Sequence, residues 1–549
     1  MILRSPYPDV EIPAVGLPEF LFGRLDPADV DRPAVVDAAT GQGYTYGQLA
    51  DAVHRVAGAL AERDIGAGAV VGLFAPNSPD YAVAFHGVLA AGAAVSPVNS
   101  QYTPAELAHQ LRDAGATLLC TAPEGLARAR IAVAEPGVSV TEIVVLGDPG
   151  GTTAAPGTAT EVPETTLHEL LASAGPAPAV TIDPESLAAL PYSSGTTGVA
   201  KGVMLTHRNL VANLLQLGPI HQIDADSRLL AALPLYHIYG LTSIMNQGLR
   251  GRALIVTMPR FDLAGFLRAI AEYRIDHLYI VPPIALALAK SPLVDNYDVT
   301  SVRVMVSAAA SLDVELGRAL AGRLDAVVLQ GFGLTESSPG THGTPADRTD
   351  IDPGSIGLLI PSVEARVVDP VTGEDAAEGA PGELWCRGPN IMRGYLNNPE
   401  ATARSIDADG FLHTGDLVTA DRSGIFRVVG RLKELIKYKG HQVAPAELEA
   451  VLLGHEAVAD AAVIGVPDES CGELPTAFVV RRDSHPGLAA EELIAFVAER
   501  VAPYKKIRLV EFLDQIPKSA AGKILRKELQ VRTPGRRPSA LSGPGRAVS

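Results

Sequence analysis

The sequence predicts an α/β protein, with a large N-terminal domain of α/β subdomains, a β-rich subdomain and a small α+β C-terminal domain. Three observations lead there. Short β-branched runs recur between helical patterns, at Val70-Val71-Gly72-Leu73-Phe74, Glu142-Ile143-Val144-Val145-Leu146 and Ala326-Val327-Val328-Leu329. Such runs read as buried parallel strands. From about Gly354 the texture changes to short strands and Gly/Pro turns, as in Val363-Glu364-Ala365-Arg366-Val367-Val368 and Gly382-Glu383-Leu384-Trp385. Near Gly430 it changes again, and the stretch from about Gln442 to Gln530 makes one compact α+β unit of roughly 100 residues, a usual size for a small domain. We therefore expect residues 1–430 to form the large domain, with its β-rich part at about 354–430, and 431–530 the small one. The Pro-, Gly- and Arg-rich tail 531–549 is expected to be disordered.

Individual elements follow from local pattern. Thr45 and Gln48 form a capping box, and Leu49, Val53, Val56 and Leu60 then repeat at helical spacing. The longest apolar stretch, roughly Ala82 to Val98, contains His86 and several glycines. It is shorter than the roughly 18 to 20 apolar residues that a membrane span needs. Residues 147–179 are rich in Gly, Pro, Thr and Ala and read as one long loop, because the strand–helix rhythm resumes unchanged beyond them.

Composition bounds the function. A chain of 549 residues exceeds one core, and 47% hydrophobic against 19% charged residues is a globular balance. The net charge of −17 argues against nucleic acid and against an anionic membrane as partners. A nucleotide would then need a local positive patch. The three cysteines, Cys120, Cys386 and Cys471, are far apart and match no metal spacing. Met1-Ile2-Leu3-Arg4 runs into Ser5-Pro6 without an apolar segment, and Ala547-Val548-Ser549 is not a peroxisomal signal, so a cytoplasmic protein is expected.

Five segments carry chemistry. Tyr192-Ser193-Ser194-Gly195-Thr196-Thr197-Gly198-Val199-Ala200-Lys201-Gly202 gathers four small hydroxyl side chains, three glycines and a lysine, which suits a phosphate chain. Alone it is also a plausible surface turn, and it is not a Walker A loop. Gln330-Gly331-Phe332-Gly333-Leu334-Thr335-Glu336 sets a flat ring between glycines and supplies hard oxygens that suit magnesium. By itself that pattern is equally a helix start. Gly410-Phe411-Leu412-His413-Thr414-Gly415-Asp416 puts a carboxylate at a tight turn, able to accept two ribose hydroxyls or to serve as an ordinary turn Asp. Arg431-Leu432-Lys433-Glu434-Leu435-Ile436-Lys437-Tyr438-Lys439-Gly440 is a basic run that charge alone would assign to a solvated face. Pro517-Lys518-Ser519-Ala520-Ala521-Gly522-Lys523-Ile524 presents a lysine on a small-residue loop, in isolation an ordinary surface amine.

In this order the five segments resemble the AMP-forming acyl-CoA synthetase superfamily, adenylating enzymes that include luciferases, and most closely its 4-coumarate–CoA ligase branch. The resemblance spans about residues 20 to 530. It implies ATP, Mg²⁺ and coenzyme A as cofactors, a small carboxylic acid as substrate, and two half-reactions: acyl-adenylate formation, then thioester formation. It assigns Ser193, Ser194, Gly195, Thr196, Thr197, Gly198 and Lys201 to the phosphates. Ala309, Gln330, Gly331, Phe332, Gly333 and Thr335 go to the nucleotide, with Phe332 against adenine, and Glu336 to Mg²⁺. Asp416 and Arg431 take the ribose, and Lys437 and Gln442 lie near the nucleotide. Lys439 and Gly440 line the pantetheine path, and Arg260 meets a coenzyme A phosphate. Lys433 is the hinge of a mobile C-terminal domain, and Lys523 is the catalytic lysine bridging carboxylate and α-phosphate. His237, within Leu233-Pro234-Leu235-Tyr236-His237-Ile238-Tyr239-Gly240, gates the acyl pocket; a buried core histidine is the plainer reading of that position. The pocket itself falls to Tyr239, Ser243, Val306, Ala308, Ala310, Pro339 and Gly340, with an aryl ring between Tyr239 and an Ala308–Ala310 strand.

Three departures bear on substrate. Val306 stands where the branch commonly has lysine, Gly340 where it has valine, and His441 where it has Phe or Tyr. The first removes a cation near the far end of the ring, and the second is expected to enlarge that end. The activation chemistry is expected to be intact, with an aryl or arylpropenoic acid as substrate and medium-chain fatty acids as the alternative. Two alternatives share the scaffold: an ATP-dependent diazotase joining nitrite to an aromatic amine, and a ligase that loads a carrier protein.

Overall fold

The computed structural model describes residues 1–147, 161–173, 175, 180–193, 200–439, 441–468, 471–519 and 522–532, with backbone alone at 441 and 442. The chain forms two compact units. One comprises Met1–Thr414 with Val418–Val428, the other Gly415–Leu417 with the chain from Val429 onward.

Two largely parallel sheets build the first unit. One has the strand order Tyr192–Ser193, Lys201–Thr206, Leu187–Ala189, Ala94–Pro97, Val70–Phe74, Leu118–Thr121, Glu142–Val145, Glu164–Thr166. Val70–Phe74 is buried along its whole length, which is why its sequence is uniformly apolar. The helix Tyr46–Ala61 begins with the expected Thr45/Gln48 capping box and buries Leu49, Val53, Val56 and Leu60. The apolar stretch after Ala82 divides into the buried helix Pro79–Ala90 and the strand Ala94–Pro97.

The region read as one long loop contains regular structure. Glu164–Thr166 adds a parallel strand beside Glu142–Val145, and the helix Leu167–Ser173 follows. Thr166 and Glu169 exchange the two hydrogen bonds of a capping box, while Leu167 and Leu170 enter the core. Residues 148–160 lie outside the described residues.

The second sheet positions the site. Its order is Val327–Gln330, Val304–Ser307, His277–Ile280, Arg228–Ala231, Leu254–Thr257, Pro33–Asp37, Gly43–Thr45, parallel except for the last strand. Because the strands are parallel, their C-terminal ends share one edge. The segments 232–240, 258–260, 308–310 and 331–336 all leave from that edge. Ligand sites in open parallel sheets form there.

The β-rich part holds the sheet Leu3–Arg4, Glu364–Val368, Gly382–Arg387, Leu412–Ala420, Phe426–Arg431 and the small sheet Phe332–Gly333, Gly340–Gly343, Leu358–Leu359. In the second unit Gly472–Arg481 is central. It pairs antiparallel with Val458–Asp468, parallel with Leu509–Phe512, and through Tyr438 with Ile436–Tyr438, which in turn pairs with His441–Val443. Leu448, Leu452, Val463, Val479, Leu493 and Ile507 form its core. The terminal helix Arg526–Arg532 runs two residues into the expected tail; the rest of that tail lies outside the described residues.

Candidate active site

The predicted residues fall into two groups, one in each unit. In the first, Glu336 sits in a single helical turn, Thr335–Ser337, and is 9% exposed. Its Oε1 accepts a hydrogen bond from the Ser193 hydroxyl (2.9 Å) and another from the Tyr395 hydroxyl (2.8 Å). The Lys201 ammonium stands 4.1 Å from the centroid of the Tyr395 ring. Ser194, Gly195, Thr196, Thr197 and Gly198 lie outside the described residues.

The backbone around Glu336 is held by residues 390–396. Met392 N–H donates to the Glu336 carbonyl (2.8 Å), and the Asn390 amide donates to the Ser337 and Gly340 carbonyls (2.9 and 2.8 Å). Leu396 N–H donates to Gly202 O (2.8 Å), continuing the pairing of Gly394–Tyr395 with Lys201–Thr206. Nothing in the local sequence marks Asn390 or Tyr395. The one available signal is Gly394, at φ +148, where a Cβ would lie 2.7 Å from Thr402 Cγ2.

Among the residues expected to form the acyl pocket, the Tyr239 hydroxyl donates to the Val306 carbonyl (2.9 Å), so those two do meet. Tyr239 opens a widened helical stretch, Tyr239–Asn246, that also buries Ser243. His237 is half-buried, and its Nδ1 accepts from Tyr239 N–H (3.3 Å). Arg260 is exposed. Ala308–Ala310 is not a strand: the strand ends at Ser307, and Ala309 adopts φ +69. The Gln330 side chain is used locally, accepting from Leu312 N–H (2.8 Å) and donating to Pro353 O (2.5 Å), which holds the 308–312 loop. Gly331 N–H donates to Ser307 O (3.1 Å). A Cβ on Gly333 would lie 2.0 Å from Pro339 O, so that turn admits only glycine. Behind Phe332, the His342 ring sits edge-on (centroids 5.8 Å apart), and burial pulls its pKa down to about 3.

Gly340 overturns one expectation. The missing side chain does not leave a larger pocket end, because a Cβ there would lie 2.9 Å from Leu217 Cδ2. Leu217 on the helix His207–His221 already fills that space.

The second unit holds the other group. Asp416 lies not in a tight turn but within the strand Leu412–Ala420, next to Gly415 at φ +72. Arg431 engages both of its oxygens, Nε to Oδ1 at 2.5 Å and Nη2 to Oδ2 at 3.2 Å. Burial raises the Asp416 pKa above the ordinary carboxylate range, and the charges of Arg431 and Lys523 oppose that rise. Lys433 is exposed in the turn Leu432–Glu434. Lys437 is exposed and in register with Gln442, whose side chain, like that of His441, lies outside the described residues, as does Gly440. Lys439 adopts φ +49 and places its ammonium 5.6 Å from the Tyr438 ring centroid. Lys523 is half-buried; its N–H donates to Ser519 Oγ (3.2 Å) and its carbonyl accepts from Ser519 N–H (2.8 Å). Three residues on, Arg526 bonds Glu434 (2.9 Å), Glu449 (2.5 Å) and Val463 O (3.0 Å). It thereby ties the Lys523 segment to the turn that carries Lys433, a link the motif reading lacks.

The donor set suits a nucleotide with one divalent cation. No cluster of three or more His, Cys, Asp or Glu among the described residues is placed to hold a metal. One carboxylate is enough for Mg²⁺ when substrate phosphate and water complete its shell, and Lys201 is placed to meet phosphate charge rather than the metal.

Two family profiles match: AMP-binding enzyme over residues 27–396, and AMP-binding enzyme C-terminal domain over residues 447–523. The chain belongs to the AMP-binding enzyme family. It is 41% identical over 542 residues to 4-coumarate–CoA ligase 5 of Oryza sativa subsp. japonica, covering 97% of both chains. Among solved structures it resembles ATP-bound MatB from Rhodopseudomonas palustris (TM-score 0.84, 31% identity, 94% of this chain and 98% of that one). It also resembles the anthranilate CoA ligase AuaEII in complex with anthranoyl-AMP (TM-score 0.84, 26% identity, 95% and 98%).

Proposed function

We propose that this AMP-forming acid–CoA ligase activates an aryl or arylpropenoic acid. The observation that carries the substrate class is the likeness to 4-coumarate–CoA ligase along the whole of both chains. In the first half-reaction the acid carboxylate attacks the α-phosphate of ATP and pyrophosphate leaves. Catalysis there is positioning and charge neutralisation. Ser193, Lys201 and the residues 194–198 hold the phosphates, and Phe332 with residues 331–335 takes adenine. Asp416 and Arg431 hold the ribose, and Lys523 bridges carboxylate and α-phosphate. Glu336 is the protein ligand of Mg²⁺, which, when bound, neutralises phosphate charge. In the second half-reaction the C-terminal domain turns about Lys433. The Lys437–Gly440 face and Arg260 then receive coenzyme A, whose thiol displaces AMP beside His237.

The acid's ring lies against Tyr239 and Val306, with Ser243, Ala308, Ala310 and Pro339 around it. Among the described residues no helix is long and apolar enough to cross a membrane. A pyrophosphate-release screen over carboxylic acids and nitrite, with and without coenzyme A, tests the reading. Cinnamate-like acids should release pyrophosphate, and coenzyme A should yield the thioester. Release with nitrite and an aromatic amine alone would instead make the enzyme a diazotase. Turnover indifferent to coenzyme A would point to a carrier-protein acceptor.

A further inference from the structure

The Tyr395 contacts go beyond packing. Two hydroxyls, from Ser193 and Tyr395, converge on the same oxygen of Glu336, while its Oε2 takes no hydrogen bond from a described residue. A nearly buried carboxylate is costly unless hydrogen-bonded. Two donors on one oxygen also fix its rotation and leave the other oxygen as a ligand atom. The same tyrosine offers its ring face to Lys201 at 4.1 Å, a cation–π distance. Its backbone belongs to the segment that bridges the Glu336 turn, through Met392, and the phosphate-loop strand, through Leu396. One side chain therefore touches the carboxylate on one side and the phosphate-loop lysine on the other.

We propose that Tyr395 is a positioning residue: its hydroxyl sets the Glu336 carboxylate for the divalent cation of the nucleotide, and its ring seats Lys201 for the phosphates. This rests on the adenylation reading above. The two halves of the role separate chemically. Tyr395→Phe keeps the ring and loses the hydroxyl, whereas Tyr395→Leu loses both.

The test is binding rather than turnover. Mn²⁺ is titrated into the full-length protein by electron paramagnetic resonance, with and without α,β-methylene-ATP, whose bridging carbon blocks adenylation. Tyr395→Phe should weaken Mn²⁺ binding about 10-fold in the presence of the analogue, as expected for losing a hydrogen bond to a charged group. It should leave metal-free binding of the analogue within about 2-fold, because Lys201 keeps its ring. Tyr395→Leu should weaken the analogue as well, by a further several-fold. In a Glu336→Gln background, Tyr395→Phe should change Mn²⁺ binding no further, since its effect acts through Glu336. Native Mn²⁺ affinity in Tyr395→Phe, alongside a loss in Glu336→Gln, would overturn the positioning role while leaving the metal assignment standing. Native affinity in Glu336→Gln would remove the metal assignment itself, and the positioning role with it. An equal further loss from Tyr395→Phe in the Gln background would also overturn the role, because it would mark a general structural defect.

Discussion

Gly340→Val separates two views of the acyl pocket. If residue 340 faced open space beside a substrate ring, valine would trim the pocket and discriminate against bulky acids. In the structure the Cβ direction instead meets Leu217, with Cδ2 at 2.9 Å and Cδ1 and Cγ at 3.5 Å. Real Cβ contacts almost never fall below 3.0 Å, and valine adds two methyls beyond the Cβ. Leu217 is 3% exposed on a helix whose Asn213 is bonded to both the N–H and the carbonyl of Gly340, so it has little room to retreat. Overpacking of this kind costs about 1 to 3 kcal/mol. Leu217→Ala alone should cost about 2 to 5 kcal/mol through its cavity. The double variant should cost less than the sum by about 1 to 3 kcal/mol, since the alanine opens the space that valine needs. Denaturant midpoints of the N-terminal unit's transition measure all four corners of the cycle. The same variants, assayed with cinnamate and with a ring-substituted cinnamate, should keep the ratio of the two kcat/KM values unchanged. Additive stabilities, or a kcat/KM ratio that moves about 10-fold against the bulkier acid, would refute the assignment of this space to Leu217.

Other outcomes are expected as well. Lys523→Ala should abolish adenylate formation yet spare thioester formation from a preformed acyl-adenylate; Lys433→Pro should retain pyrophosphate exchange and slow thioester release, and single-turnover assays of each half-reaction decide both. Ala309→Gly should raise stability by up to about 1.6 kcal/mol, because a left-handed φ of +69 costs a non-glycine residue about 1 to 2 kcal/mol, against roughly 0.4 to 1 lost through the unfolded chain's entropy; a lower denaturant midpoint would contradict it. Burial depresses the pKa of His86 and His207 to about 4 and of His342 to about 3. Below about pH 6.5 the unfolded chain binds protons that these folded rings refuse, so stability falls as pH falls, until the folded values are reached. Each ring then costs about 2 kcal/mol between pH 7 and 5, and all three lie in the first unit, which should lose its near-ultraviolet circular dichroism in that range; a flat stability profile between pH 7 and 5 would contradict the neutral assignment.

Much of the architecture is legible from pattern because buried parallel strands leave uninterrupted apolar, β-branched runs, as Val70–Phe74 does. Where composition outweighs a short signal, the reading fails. Thr166 and Glu169 spell a capping box, yet the surrounding Gly, Pro and Thr residues disguise it. Gly415-Asp416 reads as a turn because glycine permits φ of +72, but residues 412–420 run on as strand through that glycine. Ala308-Ala309-Ala310 extends an apolar strand in sequence, while the chain turns at Ala309.

The five motifs are legible as motifs and not as geometry. Glu336 and Lys201 can each be named from their neighbours in sequence, since hydroxyls, glycines and charges cluster locally around them. What holds them cannot be named this way. Tyr395 reaches Glu336 across 59 residues and pairs with the strand Lys201–Thr206 across nearly 200, so no local spacing records either contact. The same holds for Arg526, which meets Glu434 across 92 residues. A residue that contacts the ligand must carry a particular chemistry, and chemistry shows in residue type. A residue that positions another needs only the right shape and one donor in the right place, and tyrosine at a strand end supplies both without looking unusual. The supporting layer of such a site therefore becomes visible only once the strands are paired.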